Sequence, residues 1–333
     1  MKAILIQTDG SLIWSQTPTP VPGPGEVRIR VFATAVNRAD LLQRRGLYPA
    51  PAGESEILGM EAAGVIDAIG PGVEGWSLDE QVAALLAGGG YAEQVVVPAG
   101  QLLPIPEGMS FEDAAALPEV LTTAWLNLYL EGGARPGDRV LLHAGASGVG
   151  TAAIQLCRVF GQPCYVTVSS EEKLRVCRGL GAQGGALRGR EDFAGLTPQW
   201  TDGHRFDLIL DPVGAGYLDD NLRSLATDGR LILIGLLSGS RAQLDLGRLL
   251  VKRLRVIGST LRSRSREDKA RIIASLREQV WPHVERGAIV PVIDRVLPVQ
   301  RAAEAHAILS ENGTVGKIVL SVGEDELDAL HEA

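Results

Sequence analysis

The segment Arg139–Leu156 reads R-V-L-L-H-A-G-A-S-G-V-G-T-A-A-I-Q-L and decides the fold. Val140, Leu141 and Leu142 form an apolar run. Gly145, Gly148 and Gly150 punctuate a turn, and Ile154 and Leu156 resume at helical spacing. That pattern predicts a buried strand, a tight loop and a helix whose N-terminus points at the loop. The first helical turn has unpaired N–H groups and about half a positive charge, so it suits a phosphate. Glycines let the backbone approach phosphate oxygens and let helix and strand pack closely. Against the G-x-G-x-x-G fingerprint, Gly145 and Gly150 take the first and third positions. Ser147 replaces the second glycine and offers a hydroxyl to a pyrophosphate, with Gly148 and Val149 opening the helix. Two rival motifs fail. No Gly-Lys-Ser/Thr ending is present, which excludes an ATP-type phosphate loop, and a nucleophile elbow would need glycine where Val149 stands.

Composition sets outer bounds. At 333 residues the chain has room for about two domains. Hydrophobic content of 45% and charged content of 22% are ordinary for a globular protein. Its 40 acidic against 32 basic residues, net −8, argue against broad binding to nucleic acid or anionic membranes. Cys157, Cys164 and Cys177 form no C-x-x-C pair, consistent with a reducing cytoplasm. The start M-K-A-I-L-I-Q-T-D-G turns polar too soon for a signal peptide, and no apolar run approaches the roughly 18 residues of a membrane span. A soluble cytoplasmic protein is expected.

Residues 1–119 read as strands and glycine punctuation: Lys2–Gln7, Val27–Ala35, Ala62–Ile69, Gln81–Leu86 and Ala92–Pro98, with a short helix Asn37–Arg45. This is the texture of a mostly antiparallel, partly closed sheet. After a helix Ala114–Leu130 the period changes. Strands Val140–His143, Cys164–Val168, Asp207–Leu210, Arg230–Ile234 and Arg255–Ser259 alternate with helices Gly148–Phe160, Glu171–Leu180, Tyr217–Leu225 and Arg266–Arg286. Strands alternating with helices predict a doubly wound parallel sheet over 120–286. Strands Val292–Leu297 and Lys317–Val322, around a helix Val299–Glu311, then return to the first domain, which therefore spans 1–119 and 287–333. The acidic tail Glu324–Ala333 reads as a frayed helix.

Five blocks occur in order: N-R-A-D-L-L-Q-R-R-G-L-Y (Asn37–Tyr48), L-G-M-E-A-A-G-V-I (Leu58–Ile66), L-T-T-A-W (Leu121–Trp125), H-A-G-A-S-G-V-G (His143–Gly150) and G-K-I-V-L (Gly316–Leu320). Together they resemble the zinc-free, zeta-crystallin-like quinone oxidoreductases of the medium-chain dehydrogenase/reductase superfamily, most of all the tumour-suppressor-inducible branch. The resemblance runs from residue 1 to about 322. It implies an α/β protein: a GroES-like, partly closed β-barrel catalytic domain plus a doubly wound Rossmann domain binding NADP. It also implies NADPH as cofactor and a homodimer or homotetramer.

Zinc enzymes of this architecture carry a G-H-E block and an earlier cysteine in the first domain. Here the block reads Gly59-Met60-Glu61, no cysteine precedes Cys157, and the four-cysteine structural zinc loop is missing. A thioether is a poor zinc ligand, and the five histidines (His143, His204, His283, His306, His331) are scattered without ligand spacing. No metal is expected, and those histidines read as solvated or singly hydrogen-bonded. Without a metal to polarise a carbonyl, simple alcohol oxidation is hard to support. A quinone, by contrast, accepts electrons into a conjugated ring and takes its protons from water. Such a site mainly has to hold nicotinamide C4 near the acceptor.

Asn37 falls where the family places an asparagine beside the nicotinamide, and it also reads as an N-cap before Asp40. Tyr48 matches a tyrosine near the substrate, or is a loop residue held by Pro49 and Pro51. Asp40 and Glu61 read as structural. An NAD enzyme usually places an acid at the end of the second strand; here the strand ends Val168-Ser169-Ser170, and Ser169, Ser170 and Lys173 match the family's 2′-phosphate site. Glu171 and Glu172 depart from that pattern. Arg188 stands ready to clamp the phosphate. By the same resemblance Thr123 touches the carboxamide, Gly235, Leu236 and Leu237 pass the nicotinamide ribose, and Leu261, Arg262 and Lys317 complete the coenzyme contacts. Leu237 and Leu261 read nearly as well as core. The arginines at 253, 255, 262, 264 and 266 form a basic cluster without interleaved aromatics, so a solvated or subunit-interface face is expected rather than a nucleic-acid site. Two other functions fit the scaffold: an enoyl or activated-alkene reductase, and a catalytically weak NADPH-binding sensor or structural protein.

Overall fold

The computed structural model describes residues 1–323, and the acidic tail lies outside them. The chain forms two compact units: Met1–Glu119 with Arg262–Trp281 and the segment from Pro291, and Val120–Leu261 with Pro282–Val290.

The first unit begins with a hairpin, β1 (Lys2–Ile6) and β2 (Leu12–Gln16). It continues with β3 (Glu26–Ala35), β4 (Glu61–Ile69), β5 (Gln81–Leu85), β6 (Gln94–Pro98) and β7 (Leu102–Pro104). β3 organises them. Val27, Ile29 and Val31 alternate inward while Arg30 faces solvent, as expected of a sheet with one buried face. Its first half pairs with β6 and β4. A register shift between Val31 and Ala33 turns its second half away from β6, which bends the sheet toward closure.

The second unit contains β8 (Val140–His143), β9 (Cys164–Val168), β10 (Gly184–Leu187), β11 (Phe206–Asp211), β12 (Leu225–Leu233) and β13 (Arg255–Gly258). All pair in parallel, in the order β10-β9-β8-β11-β12-β13. Strand order therefore reverses at β8, the switch point where such sheets bind ligands beyond their strand ends. β8 and β9 are buried at every residue, because helices cover both faces of a parallel sheet. β14 (Ile293–Pro298) and β15 (Lys317–Ser321) belong to the first unit, where β15 pairs antiparallel with the second half of β3.

Proline placement corrects two expected helices. The run 114–130 is divided into Phe111–Ala115, Pro118–Trp125 and a π-helical turn Leu126–Glu131, since Pro118 has no N–H to continue a helix. The run 266–286 is divided into Arg266–Gln279 and Trp281–Glu285 by Pro282 for the same reason. The boundary between units falls at that break, so helix Arg266–Gln279, expected in the second domain, lies in the first. It comes so near the turn Ala99–Gln101 that a Cβ on Gly100 would sit 2.9 Å from that of Ala270. Among the described residues no helix is long and apolar enough to cross a membrane.

Candidate functional site

The glycine loop follows β8 directly. Ala144 adopts a positive φ of 53° and turns the chain, while a Cβ on Gly145 would meet Val166 at 2.6 Å. A Cβ on Gly150 would meet the Gly145 and Ala144 carbonyl oxygens at 2.5 and 2.6 Å. Both glycines are thus fixed by close packing. Ser147 is the N-cap of helix Gly148–Phe160: its Oγ accepts the Gly150 N–H at 3.1 Å. Its proton remains available, and the Gly148 and Val149 N–H groups have no carbonyl within the helix to bond.

At the end of β9, Ser169 is exposed and Ser170 caps helix Glu171–Leu180 by accepting the Lys173 N–H. Arg188 follows β10 with its side chain exposed, and its N–H donates to the Val168 carbonyl at 2.7 Å. Ser169, Ser170 and Arg188 therefore follow the ends of adjacent strands, and Lys173 lies in the first turn of helix Glu171–Leu180. Glu171 and Glu172 are exposed in the first turn, where the helix dipole favours acids. Gly235 follows β12, and a Cβ there would meet the Pro212 carbonyl at 2.7 Å; Leu236 and Leu237 after it are exposed. Thr123 is half-buried on helix Pro118–Trp125. Leu261 is buried.

In the first unit the residues gather around Glu61. The Lys317 ammonium uses all three of its N–H groups: on Glu61 Oε1 (2.7 Å), Asn37 Oδ1 (2.7 Å) and the Val36 carbonyl (2.9 Å). Glu61 is fully buried and Lys317 is 4% exposed, so each charge is compensated where water cannot reach it. Glu61 also accepts the Asn37 amide at 2.8 Å and the Glu119 N–H at 2.9 Å. Asn37 gives its other amide proton to the Ala35 carbonyl at 3.3 Å. It holds the N-cap position of helix Arg38–Arg44, yet its side chain turns to Glu61 and Lys317, while Asp40 accepts the Asn37 N–H at 2.7 Å. Beneath lies Tyr91, whose phenol reaches Asp40 and His306 at 3.3 and 3.2 Å. Burial raises Asp40 to about 6, against the Asn37 and Gly59 N–H groups and the Lys317 charge, which lower it.

Tyr48 sits in the loop after helix Arg38–Arg44 and is held by Arg262. That guanidinium donates to the Tyr48 carbonyl (3.3 Å), the Ala87 carbonyl (2.6 Å) and Gln43 Oε1 (2.7 Å). Its carbon lies 5.4 Å from the centre of the Tyr48 ring. Burial, and then the Glu119 carboxylate, raise the Tyr48 phenol above its ordinary value, with Arg262 opposing. The phenol is therefore protonated at neutral pH and able to donate.

Two expectations change. Lys317 and Arg262 were expected to touch coenzyme, but the Lys317 ammonium has no donor left and Arg262 is 4% exposed among three acceptors of its own unit. The expected basic cluster also disperses: Arg262 is buried, Arg253 pairs with Asp228, and Arg266 with Glu26. The sequence reading also missed a buried chain below the glycine loop, in which His143 uses both ring nitrogens, on Thr167 and Asn221, and Asn221 reaches Asp211. The one signal was Asp211 at a strand end before P-V-G.

The donor set around Glu61 does not fit zinc. Met60 offers a buried thioether, the Glu61 carboxylate is occupied by an ammonium and two N–H groups, and no histidine or cysteine joins them. Among the described residues no cluster of three or more His, Cys, Asp or Glu has metal-holding geometry.

Residues 23–107 match the alcohol dehydrogenase GroES-like domain family, and residues 148–277 match the zinc-binding dehydrogenase family. The chain is 35% identical over 296 residues to a quinone oxidoreductase of Pseudomonas aeruginosa, covering 88% of this chain and 90% of the relative. It is 30% identical over 335 residues to a 2-haloacrylate reductase of Burkholderia, covering 96% and 98%. The Thermus thermophilus quinone oxidoreductase, solved alone and with NADPH, is 34% identical with a TM-score of 0.81, covering 96% of this chain and 100% of that one. A polyketide synthase of Streptomyces halstedii is 32% identical over 300 residues, but the chain spans only 5% of its length.

Proposed function

Since this chain belongs to the medium-chain dehydrogenase/reductase superfamily, we propose that it is an NADPH-dependent quinone oxidoreductase working without a metal ion. The observation that carries the reading is the Lys317 ammonium on Glu61, which neutralises the carboxylate at the block where zinc relatives place a ligand. The glycine loop supplies the coenzyme half of the argument, and relatives named as quinone oxidoreductases support the acceptor.

When bound, NADPH supplies the reducing equivalent from nicotinamide C4. The Gly148 and Val149 N–H groups and the Ser147 hydroxyl hold the pyrophosphate. Ser169, Ser170, Lys173 and Arg188 take the 2′-phosphate, and Thr123 with Gly235, Leu236 and Leu237 borders the nicotinamide end. Asn37 has both amide protons committed, so it serves through the remaining Oδ1 lone pair as an acceptor for a carboxamide N–H. Tyr48 donates to a quinone oxygen, and Arg262 positions it.

Arg188→Ala should raise KM for NADPH by about 10- to 50-fold and leave that for NADH unchanged, since only the former loses a charge-assisted pair. Equal effects on both would remove Arg188 from the 2′-phosphate site. Tyr48→Phe should lower turnover by about tenfold or less, the worth of one hydrogen bond. A loss above roughly a thousandfold would make Tyr48 an obligate proton donor.

A second reading, an activated-alkene reductase, is favoured by the 2-haloacrylate reductase relative. That reaction must protonate a carbon, a task for Tyr48. Following NADPH absorbance with ortho-quinones, para-quinones and an enoyl thioester separates the readings. Turnover of quinones supports the first, turnover of the thioester alone the second, and binding without any oxidation indicates a sensor.

We also propose a homodimer. Among the described residues no strand pairs with the outer edge of β13, and Leu246, Leu250 and Val251 in the helix before it and Val256 within it are 68, 78, 75 and 37% exposed. The double variant Leu250→Asp/Val251→Asp should elute as a monomer in light-scattering chromatography; an unchanged dimer would place the interface elsewhere. The unpaired, buried cysteines fit the reducing cytoplasm proposed for the protein.

A further inference from the structure

Thr167, His143 and Asp211 lie at or next to the ends of neighbouring strands, in one row across the sheet: His143 pairs with Thr167, and Leu210, the residue before Asp211, pairs with Leu142. Their side chains join into a hydrogen-bonded chain whose direction can be assigned bond by bond. Asp211 Oδ1 accepts the Val213 and Gly214 N–H groups at 2.6 and 3.1 Å. Its Oδ2 accepts the Asn221 amide at 2.9 Å. The Asn221 carbonyl oxygen must then face His143 Nε2, 2.7 Å away, so Nε2 carries the proton. Nδ1 is left as an acceptor and takes the Thr167 hydroxyl proton at 2.9 Å.

We infer that His143 is a positioning residue for coenzyme, locked as its Nε2–H tautomer so that the glycine loop after β8 and the Pro212–Gly214 loop after β11 hold a single arrangement. The inference rests on the coenzyme reading above. His143 is 2% exposed and wedged edge-on between Phe193 and Tyr217, with ring centres 4.9 and 4.7 Å away. The residue after it starts the glycine loop at a positive φ, so a change in the ring is felt there directly. The groups facing the chain fit a neutral ring beside an ionised acid. Burial lowers His143 to about 4, and it raises Asp211 to about 6 against three donors. A hydroxyl on Thr167 is the link that can be removed without changing shape.

Thr167→Val keeps the branched side chain that a buried strand favours and deletes only the donor to Nδ1. It should raise KM for NADPH by about tenfold, the loss of a buried hydrogen bond, with kcat within about twofold. Thr167→Ser restores the hydroxyl and should restore KM. If Val and Ser give the same KM and differ only in melting temperature, the chain is merely structural and the inference falls. Nitrogen NMR of labelled histidine in the coenzyme-free protein gives a test that does not depend on the proposed activity. A neutral Nε2–H tautomer at His143 in the parent, disturbed in Thr167→Val, supports the chain; an Nδ1–H tautomer in the parent overturns it. A parent protein with this tautomer but no affinity for NADPH would remove the coenzyme role and the functional reading together, leaving the bonding intact.

Discussion

Replacing Lys317 with methionine is expected to destabilise the protein by about 3–5 kcal/mol, the usual result of removing one partner from a buried ion pair. Methionine matches the length of the lysine stem, so little packing is lost. What is lost is the positive charge paired with Glu61 among the described residues, where Glu61 is a carboxylate with no exposure at all. The Asn37 amide and the Glu119 N–H remain bonded to it, but neither carries a charge. Urea unfolding of the variant checks the magnitude. A double variant, Lys317→Met with Glu61→Gln, should recover most of the loss, because glutamine leaves no buried charge unbalanced. A single variant within about 1 kcal/mol of the parent would mean that Glu61 does not depend on the Lys317 charge, and the case against zinc at this block would lose its basis.

The second large effect is at Gly150. Gly150→Val should weaken NADPH by about a hundredfold or more, as expected when a binding loop moves by about an ångström. Any Cβ here lies 2.5 Å from the Gly145 carbonyl oxygen and 2.6 Å from that of Ala144, and neither backbone atom can give way alone. The helix N-terminus must lift from the loop, taking the Gly148 and Val149 amides with it. Gly179 is a control, since it lies in a neighbouring helix with nothing within 4 Å of a Cβ and no positive φ. Gly179→Ala should leave affinity unchanged and stabilise the protein by about 0.5–1 kcal/mol. Calorimetric titration with NADPH measures both. Tight binding by Gly150→Val would remove the glycine loop from the coenzyme site.

The parts of the fold that could be read in advance are those where a local pattern meets no competing constraint. Val140–His143 and Gly148–Phe160 are legible because a fully apolar run, a glycine turn and a helical period agree. β2, β7 and β10 escape such reading: β2 has little burial, β7 is three residues long, and β10 reads G-G-A-L with none of the β-branched residues that mark a strand. At the proposed site, Asn37 and Tyr48 can be nominated from sequence because each lies in a recognisable block, and the residues after β9 and β10 because they follow strands. The commitments of Lys317 and Arg262 are not, since they depend on partners about 280 and 220 positions away. The row Thr167–His143–Asp211 is hidden for the same reason. Each member looks ordinary alone, and strand register brings them together.

On the proposed reading, NADPH reduces a quinone on this chain with no metal ion taking part. The direct measurement follows NADPH oxidation by an ortho-quinone before and after exhaustive dialysis against a chelator. Turnover at the same rate is expected in both samples. Loss of the rate on chelation, or no oxidation of NADPH or NADH by any quinone in a protein that is fully folded, would contradict it.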